Sequence, residues 1–381
     1  MTGGATLGLF VGPFVPAPLA PALLRAVEQV TVTVQDGARS GFQIVVVAGR
    51  DRGAGREDVA ALHDGTFRIG NRVQVTASLA GRRHVLMDGI VTHLAVAPAT
   101  EPNAARLTVT GEDLSVMLDL VEAQLSFPGM ADFMIATLLL APLVAYGVVP
   151  QVVPEPSVIV PLPTKSVPQR NGTALGILTE MAERWGYTFY VQPGPVRGAS
   201  LAYWGPPIRA GVPQPALTWR MGAASNLGSV SFQSDGTKPK QVYGLVQDER
   251  FNVPIPIIGL PFTGQPLAAT PAYVGNLPFL GVKRLSDDER GNVVAALWRA
   301  TGEVFRSTKG AATASGELDV ARYGHVLAAR ALVDIRGVGR SMDGSWYTQS
   351  VTHTVSRGSW KQSFTLEREG TGALVGKVAR L

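Results

Sequence analysis

Apolar and polar residues alternate along much of this chain, and the places where the alternation stops divide it. Between Val30 and Ala48 the run VTVTVQDGARSGFQIVVVA puts apolar residues at alternate positions, broken at Asp36-Gly37 and Ser40-Gly41. A period of two is that of a half-buried strand, and the Gly-containing pairs predict a hairpin between two strands. Phe67 to Leu79 alternates at Val73, Val75 and Ala77, and Gly81 turns the chain. Val85 to Val96 predicts a strand pair or one bulged strand. Beyond a loop at Pro98–Pro102, Leu107 and Val109 alternate with Thr108 and Thr110. About five strands within some 90 residues is the size of a small barrel or sandwich.

From Leu114 the period lengthens: Leu114, Met117, Leu118 and Val121 have helical spacing. Met130 to Val149 is the most apolar window, with Asp132 its only charge. About 20 apolar residues can cross a bilayer, so a membrane-anchored protein using 130–149 is one reading. Pro142, Gly147, Asp132 and the lack of flanking Lys or Arg favour a buried helix ending near Tyr146-Gly147. Pro150–Pro168 is extended. Thr173 then predicts the N-cap of a second helix, striped by Leu175, Leu178, Met181, Ala182 and Trp185 and ended by Gly186. Met181 and Trp185 at this spacing are core residues. YTFYVQPG returns to strand, and Ala216 to Val246 is strand-like. A neutral Pro/Gly-rich loop insertion covers about 251–280. A short helix at Asp287–Thr301 and a linker at Gly302–Gly316 follow. The chain closes with two antiparallel strands turning at Arg357-Gly358.

The length of 381 residues leaves room for two or three domains. With 46% hydrophobic and 17% charged residues, the chain forms a core and is not disordered. The absence of cysteine excludes disulfides, Cys-ligated zinc, iron–sulfur clusters and thiol catalysis, and fits a reducing compartment. The net charge of +5 is scattered, with no basic block, so no nucleic-acid partner is expected. Met1–Phe10 carries no Lys or Arg, unlike a signal peptide, and Pro13, Pro16, Pro18 and Pro21 break any targeting helix.

The tripeptide Val-Thr-His occurs twice, at Val91–His93 and Val351–His353. In both copies a strand leads into it and a second strand follows, Leu107-Thr108-Val109 in one and Phe364-Thr365-Leu366 in the other. The matched context predicts two related β-modules, one near each terminus. The two histidines have no second ligand at metal-binding spacing, and His63, His84 and His325 are isolated, so strand roles are expected. No G-x-S-x-G, P-loop or S-x-x-K motif is present. Asp287-Asp288-Glu289 could supply a carboxylate pair, but acids at a helix start favour its dipole. No catalytic residue, metal, cofactor or small-molecule substrate is expected.

The closing run WYTQSVTHTVSRGSWKQSFTLEREG resembles the closing motif of baseplate hub proteins of contractile tails. These comprise the tail hub of T-even phages, the late control protein D family and the N-terminal hub region of VgrG spike proteins. PQRNGTALGILTEMAERWGYTFYV is similar to that family's helix leading into a strand. FRIGNRVQVTASLAGRRHVLMDGIVTHLAVAPATEPNAARLTVTGEDLSVML resembles its first barrel. The motifs fall in family order over about residues 25–370. The resemblance implies an α+β, mainly β fold with two similar β-barrel hub modules around a helical and mixed segment, assembled as a ring-shaped homotrimer. Three such chains would adapt a sixfold inner tube to a threefold central spike. The implied divisions are an extension at 1–24, the first module at 25–113, the helical segment at 114–215, the second module with the insertion at 216–370, and a tail at 371–381. The implied partners are the inner tube protein, a spike protein as a separate chain and other baseplate components. The implied location is a phage-tail-like particle built in the cytoplasm and released outside the cell. A tail-associated cell-wall hydrolase is the enzymatic alternative. Interfaces are expected at edge strands, hence at Val30, Val32, Val34, Leu107, Val109, Val242, Tyr243, Phe364 and Leu366.

Overall fold

The structure is a computed structural model that describes residues 6–48, 65–97, 105–156, 167, 169–247, 253–260, 266–275, 279–285 and 293–374. Strand takes 49% and helix 21% of it, so the chain is α+β and mainly β. In the N-terminal part lie β1 (Thr6–Gly12), β2 (Val27–Gln35), β3 (Gly41–Ala48), β4 (Arg72–Leu79), β5 (Arg82–Ala97) and β6 (Ala105–Asp113). They pair side by side in the order β2-β3-β6-β5-β4-β1. In the C-terminal part lie β7 (Gln214–Thr218), β8 (Leu227–Ser234), β9 (Ala312–Asp319), β10 (Leu332–Arg336), β11 (Gly344–Ser356) and β12 (Ser359–Arg368). Their order is β8-β9-β12-β11-β10-β7, the same sequence of positions. One pairing differs in sense: β1 is antiparallel to β4, whereas β7 is parallel to β10.

Two of the irregularities recur too. A bulge lies between Val27 and Gln29 on β2 and between Leu227 and Ser229 on β8. Another lies between Val91 and His93 on β5 and between Thr348 and Ser350 on β11. Bulges interrupt pairing at one residue, so they index the strands independently of sequence. This index corrects the tripeptide alignment. Both Val-Thr-His runs lie on corresponding strands, but Val351 corresponds to Leu94, not to Val91. His353 therefore faces the core while His93 is exposed.

The two runs of strands meet where β2 pairs with β11, and with the short strand Ala17–Pro18 beside β1 they make one sheet of thirteen strands. No closed barrel forms among the described residues. The physical reason is that β2 gives its outer side to β11, so neither run closes on itself. One hydrophobic core serves both, joining Val30, Ile44, Val75 and Leu107 to Trp346, Val351, Phe364 and Leu366. Residues 1–24, expected to be an extension, contain β1, which pairs along its full length with β4.

Between the runs, α1 (Asp132–Leu140) continues as a 3-10 helix (Ala141–Tyr146) and ends at Gly147 in the left-handed conformation. A Cβ there would lie 2.4 Å from the Gly198 carbonyl oxygen, so only glycine fits. α2 (Ala174–Trp185) starts at Thr173, whose hydroxyl accepts from the Gly176 N–H at 3.1 Å, and ends at left-handed Gly186. The expected loop insertion at about 251–280 holds the strand Pro254–Ile258, which together with Gly281–Arg284 just beyond the insertion flanks Lys240–Gln247. This small sheet packs Val242, Val246 and Ile257 on Ala296, Ala300 and Val304 of α3 (Val293–Thr308). The expected linker at Gly302–Gly316 is thus the end of α3 followed by β9. Asp287, Asp288, Glu289 and His63 lie outside the described residues.

Candidate functional site

The β2·β11 junction is built from β-branched residues that favour a pleated surface. Val34 stands opposite Val351, Thr33 opposite Thr352, Val32 opposite His353 and Val30 opposite Val355. One face of these pairs is core. On it the His353 ring, only 4% exposed, meets Gln362 through Nδ1 at 3.2 Å. Gln362 also exchanges hydrogen bonds with the Leu327 backbone at 2.8 and 3.0 Å. Burial pushes the His353 imidazole down to about 3, with the His84 charge adding to the effect, so it is neutral. On the other face the Thr33 and Thr352 hydroxyls hydrogen-bond at 3.1 Å.

Among the open strand edges of the described residues are β8 and half of β5. β8 pairs only with β9. β5 pairs with β6 along Gly89–Ala97, but β4 covers its other side only to Ile90. The Val91 backbone still bonds Asn71 and Gly70 at 2.9 Å each, and the stretch His93–Ala97 is then bare on that side. The side chains register the difference. Val230 and Phe232 on β8 are only partly buried, whereas Val30 and Val32 on β2 are fully buried. Val96 is 42% exposed.

The solvent face of the sheet carries rows of short hydroxyl and amide side chains. One row runs Ser231, Ser315, Thr365, Ser350 and Gln35, and another Thr354, Thr31, Gln43, Thr110 and His93. Ser231 and Ser315 bond across strands at 2.8 Å. A shallow groove of 420 Å³ follows this surface over β8, β9, β12 and β11.

A deeper cleft of 780 Å³ lies where the β2–β3 turn, α2 and the end of α3 converge. Its floor is an ion-pair network. The Asp36 carboxylate accepts from Thr188 at 3.0 Å and from Lys309 at 2.9 Å. Burial opposes its charge, but Lys309 and Arg330 prevail and hold it below the usual carboxylate range. Glu367 pairs with Arg209, which lies over the Tyr347 ring at 4.7 Å. Burial nevertheless raises Glu367. Arg330 stacks on Tyr190 at 4.0 Å, and burial lowers its pKa. Each of the two carboxylates is held by a cation, and the network ties the sheet to the middle segment. No group of three metal-ligating side chains occurs among the described residues. Nor is any described helix long and apolar enough to cross a membrane.

Of the nine residues expected at interfaces, the structure shows where each lies within the chain. Val30, Val32, Leu107, Val109, Val242, Phe364 and Leu366 are buried, Val34 packs on the same core, and only Tyr243 is exposed, at 47%. Their strands are interior: β2, β6 and β12 have neighbours on both sides, as does Lys240–Gln247. The edge premise is therefore corrected, because alternation of valine and threonine marks a strand with one face buried, not a free edge. The open strand, LGSVSFQS, had a legible signal: a charge-free strand without proline.

No known protein-family profile matches the chain, and no curated protein matches it in sequence. Solved structures match it in fold. The tail protein from Neisseria meningitidis MC58 is 16% identical and covers 96% of this chain and 97% of its own, with a TM-score of 0.63. The 43 kDa tail protein of prophage MuSo2 from Shewanella oneidensis is 14% identical, covers 95% and 98%, and has a TM-score of 0.60. The E. coli c3393 protein is a component of the type VI secretion system with structural similarity to T4 bacteriophage tail proteins. It is 10% identical and covers 89% of this chain and 73% of its own, at a TM-score of 0.54. At these identities the likeness is one of fold.

Proposed function

We propose that this chain is the structural baseplate hub of a phage-like contractile injection particle. Three copies form a ring that joins a sixfold inner tube to a threefold spike. The observation that carries the reading is the strand order repeated in the two halves, with two bulges at matching places. Two equivalent modules per chain give six per trimer, which is what a three-to-six adaptor requires. The shared fold with tail proteins and a type VI secretion component supports it. The proposed partners are the inner tube protein, a spike chain and other baseplate components, and the proposed location is a particle assembled in the cytoplasm. The proposed role is non-enzymatic, in keeping with the structural tail proteins that share the fold, and the Asp36 and Glu367 carboxylates of the cleft are each held in an ion pair. Co-expression of the full chain with tube and spike proteins, followed by native mass spectrometry, tests this. The expected species is a trimer bound to both. A monomer that binds neither overturns the reading.

A further inference from the structure

We propose that β8 of one copy adds, antiparallel, to the open half of β5 on the next copy. The proposal rests on the hub reading and names the contact that would close its ring. The chain already contains one such junction. β2 leads its run and pairs with the second half of β11; β8 leads the other run and has no outer neighbour among the described residues. The strand that corresponds to β11 is β5, and its second half is bare on the matching side. What β2·β11 does within a chain, β8·β5 can do only between chains. The result is a head-to-tail contact, the kind that forms rings.

The bulges carry the register across. Val27 and Gln29 match Leu227 and Ser229, and Val91 and His93 match Thr348 and Ser350. Transferring the pairs of β2·β11 sets His93 opposite Asp235, Ala95 opposite Gln233 and Val96 opposite Phe232. The last pair brings two incompletely buried apolar side chains together on the core face. The first brings an imidazole to a carboxylate. The edges differ in protection as well. β8 has no Lys, Pro or inward charge, while the far edge beyond β1 ends in Ala17–Pro18, where proline withholds a donor.

The chain has no cysteine, so introduced thiols report cleanly. Thr33→Cys with Thr352→Cys is the control: those hydroxyls are 3.1 Å apart, so this pair should close a disulfide within one chain. Ala95→Cys with Gln233→Cys occupies the transferred position. On oxidation it should give covalent dimers and trimers on a non-reducing gel, and neither single variant should do so beyond dimers. Val96→Lys, at an exposed position, should keep the circular dichroism spectrum and convert trimer to monomer. A trimer in which the control oxidises but the Ala95/Gln233 pair does not overturns this interface and leaves the hub reading standing. A chain that stays monomeric with tube and spike proteins present overturns both.

Discussion

Arg72 is enclosed, yet all five of its donors are matched. Nε and Nη2 grip Asp88 at 2.7 and 2.6 Å. The remaining donors reach the carbonyls of Phe14, Tyr146 and Gly198 at 3.2, 2.7 and 3.1 Å. Ser200 donates to Asp88 at 2.8 Å, so one side chain fastens β4 and β5 to the middle segment. Arg72→Met would leave Asp88 buried without its cation. A loss of about 3–5 kcal/mol is expected in urea unfolding, and a loss below about 1 would contradict the assignment. Nothing in FRIGNRVQV distinguishes this arginine from a surface one, because its partners lie on other elements. His353 has a pH consequence. Its folded pKa, about 3, lies below the ordinary 6.5, so the unfolded chain binds a proton that the fold refuses. The stability it contributes is present above 6.5 and is lost as pH falls toward 3, by about 1.4 kcal/mol per unit. His353→Gln should flatten the pH dependence of the unfolding midpoint between 6 and 4. An unchanged slope would count against burial as the cause.

Elements with local signals were legible. α2 has a hydroxyl cap, an apolar stripe and a terminal glycine within one stretch, and it forms where that pattern places it. α3 runs to Thr308, past Gly302, where the sequence suggests a stop. Its stripe continues through Val304, and Gly302 serves contact, not termination. A Cβ at Gly302 would lie 3.0 Å from the Gly186 nitrogen and 3.1 Å from its Cα. Alanine inside a helix normally gains about 0.5–1 kcal/mol over glycine. Here the sign should invert, because α2 and α3 would be forced apart at the cost of about 1–3 kcal/mol. Thermal unfolding of Gly302→Ala reads this directly, and a raised Tm would refute the contact. Strand existence was legible by the same logic, since alternation is local. Strand neighbours were not, because pairing is decided by residues far apart in the chain.

For the whole molecule, composition and alternation convey a mainly β chain with a helical middle. They do not convey that β2 joins β11, and the repeated tripeptide misleads by three residues because a shared motif need not share register. The same pairing governs how the chain must fold. Thr33 and Thr352 meet across 319 positions, so the central contact forms only after nearly all of the chain exists. Non-local pairings of this kind are slow. Meanwhile β2 displays to solvent an edge of the kind β8 keeps, and any β11 within reach is an acceptable partner. Tethering favours the chain's own β11 through an effective concentration of millimolar order. That advantage shrinks as chains crowd. Refolding at high concentration should then interlock neighbours through the wrong β11, and dilution should restore the yield.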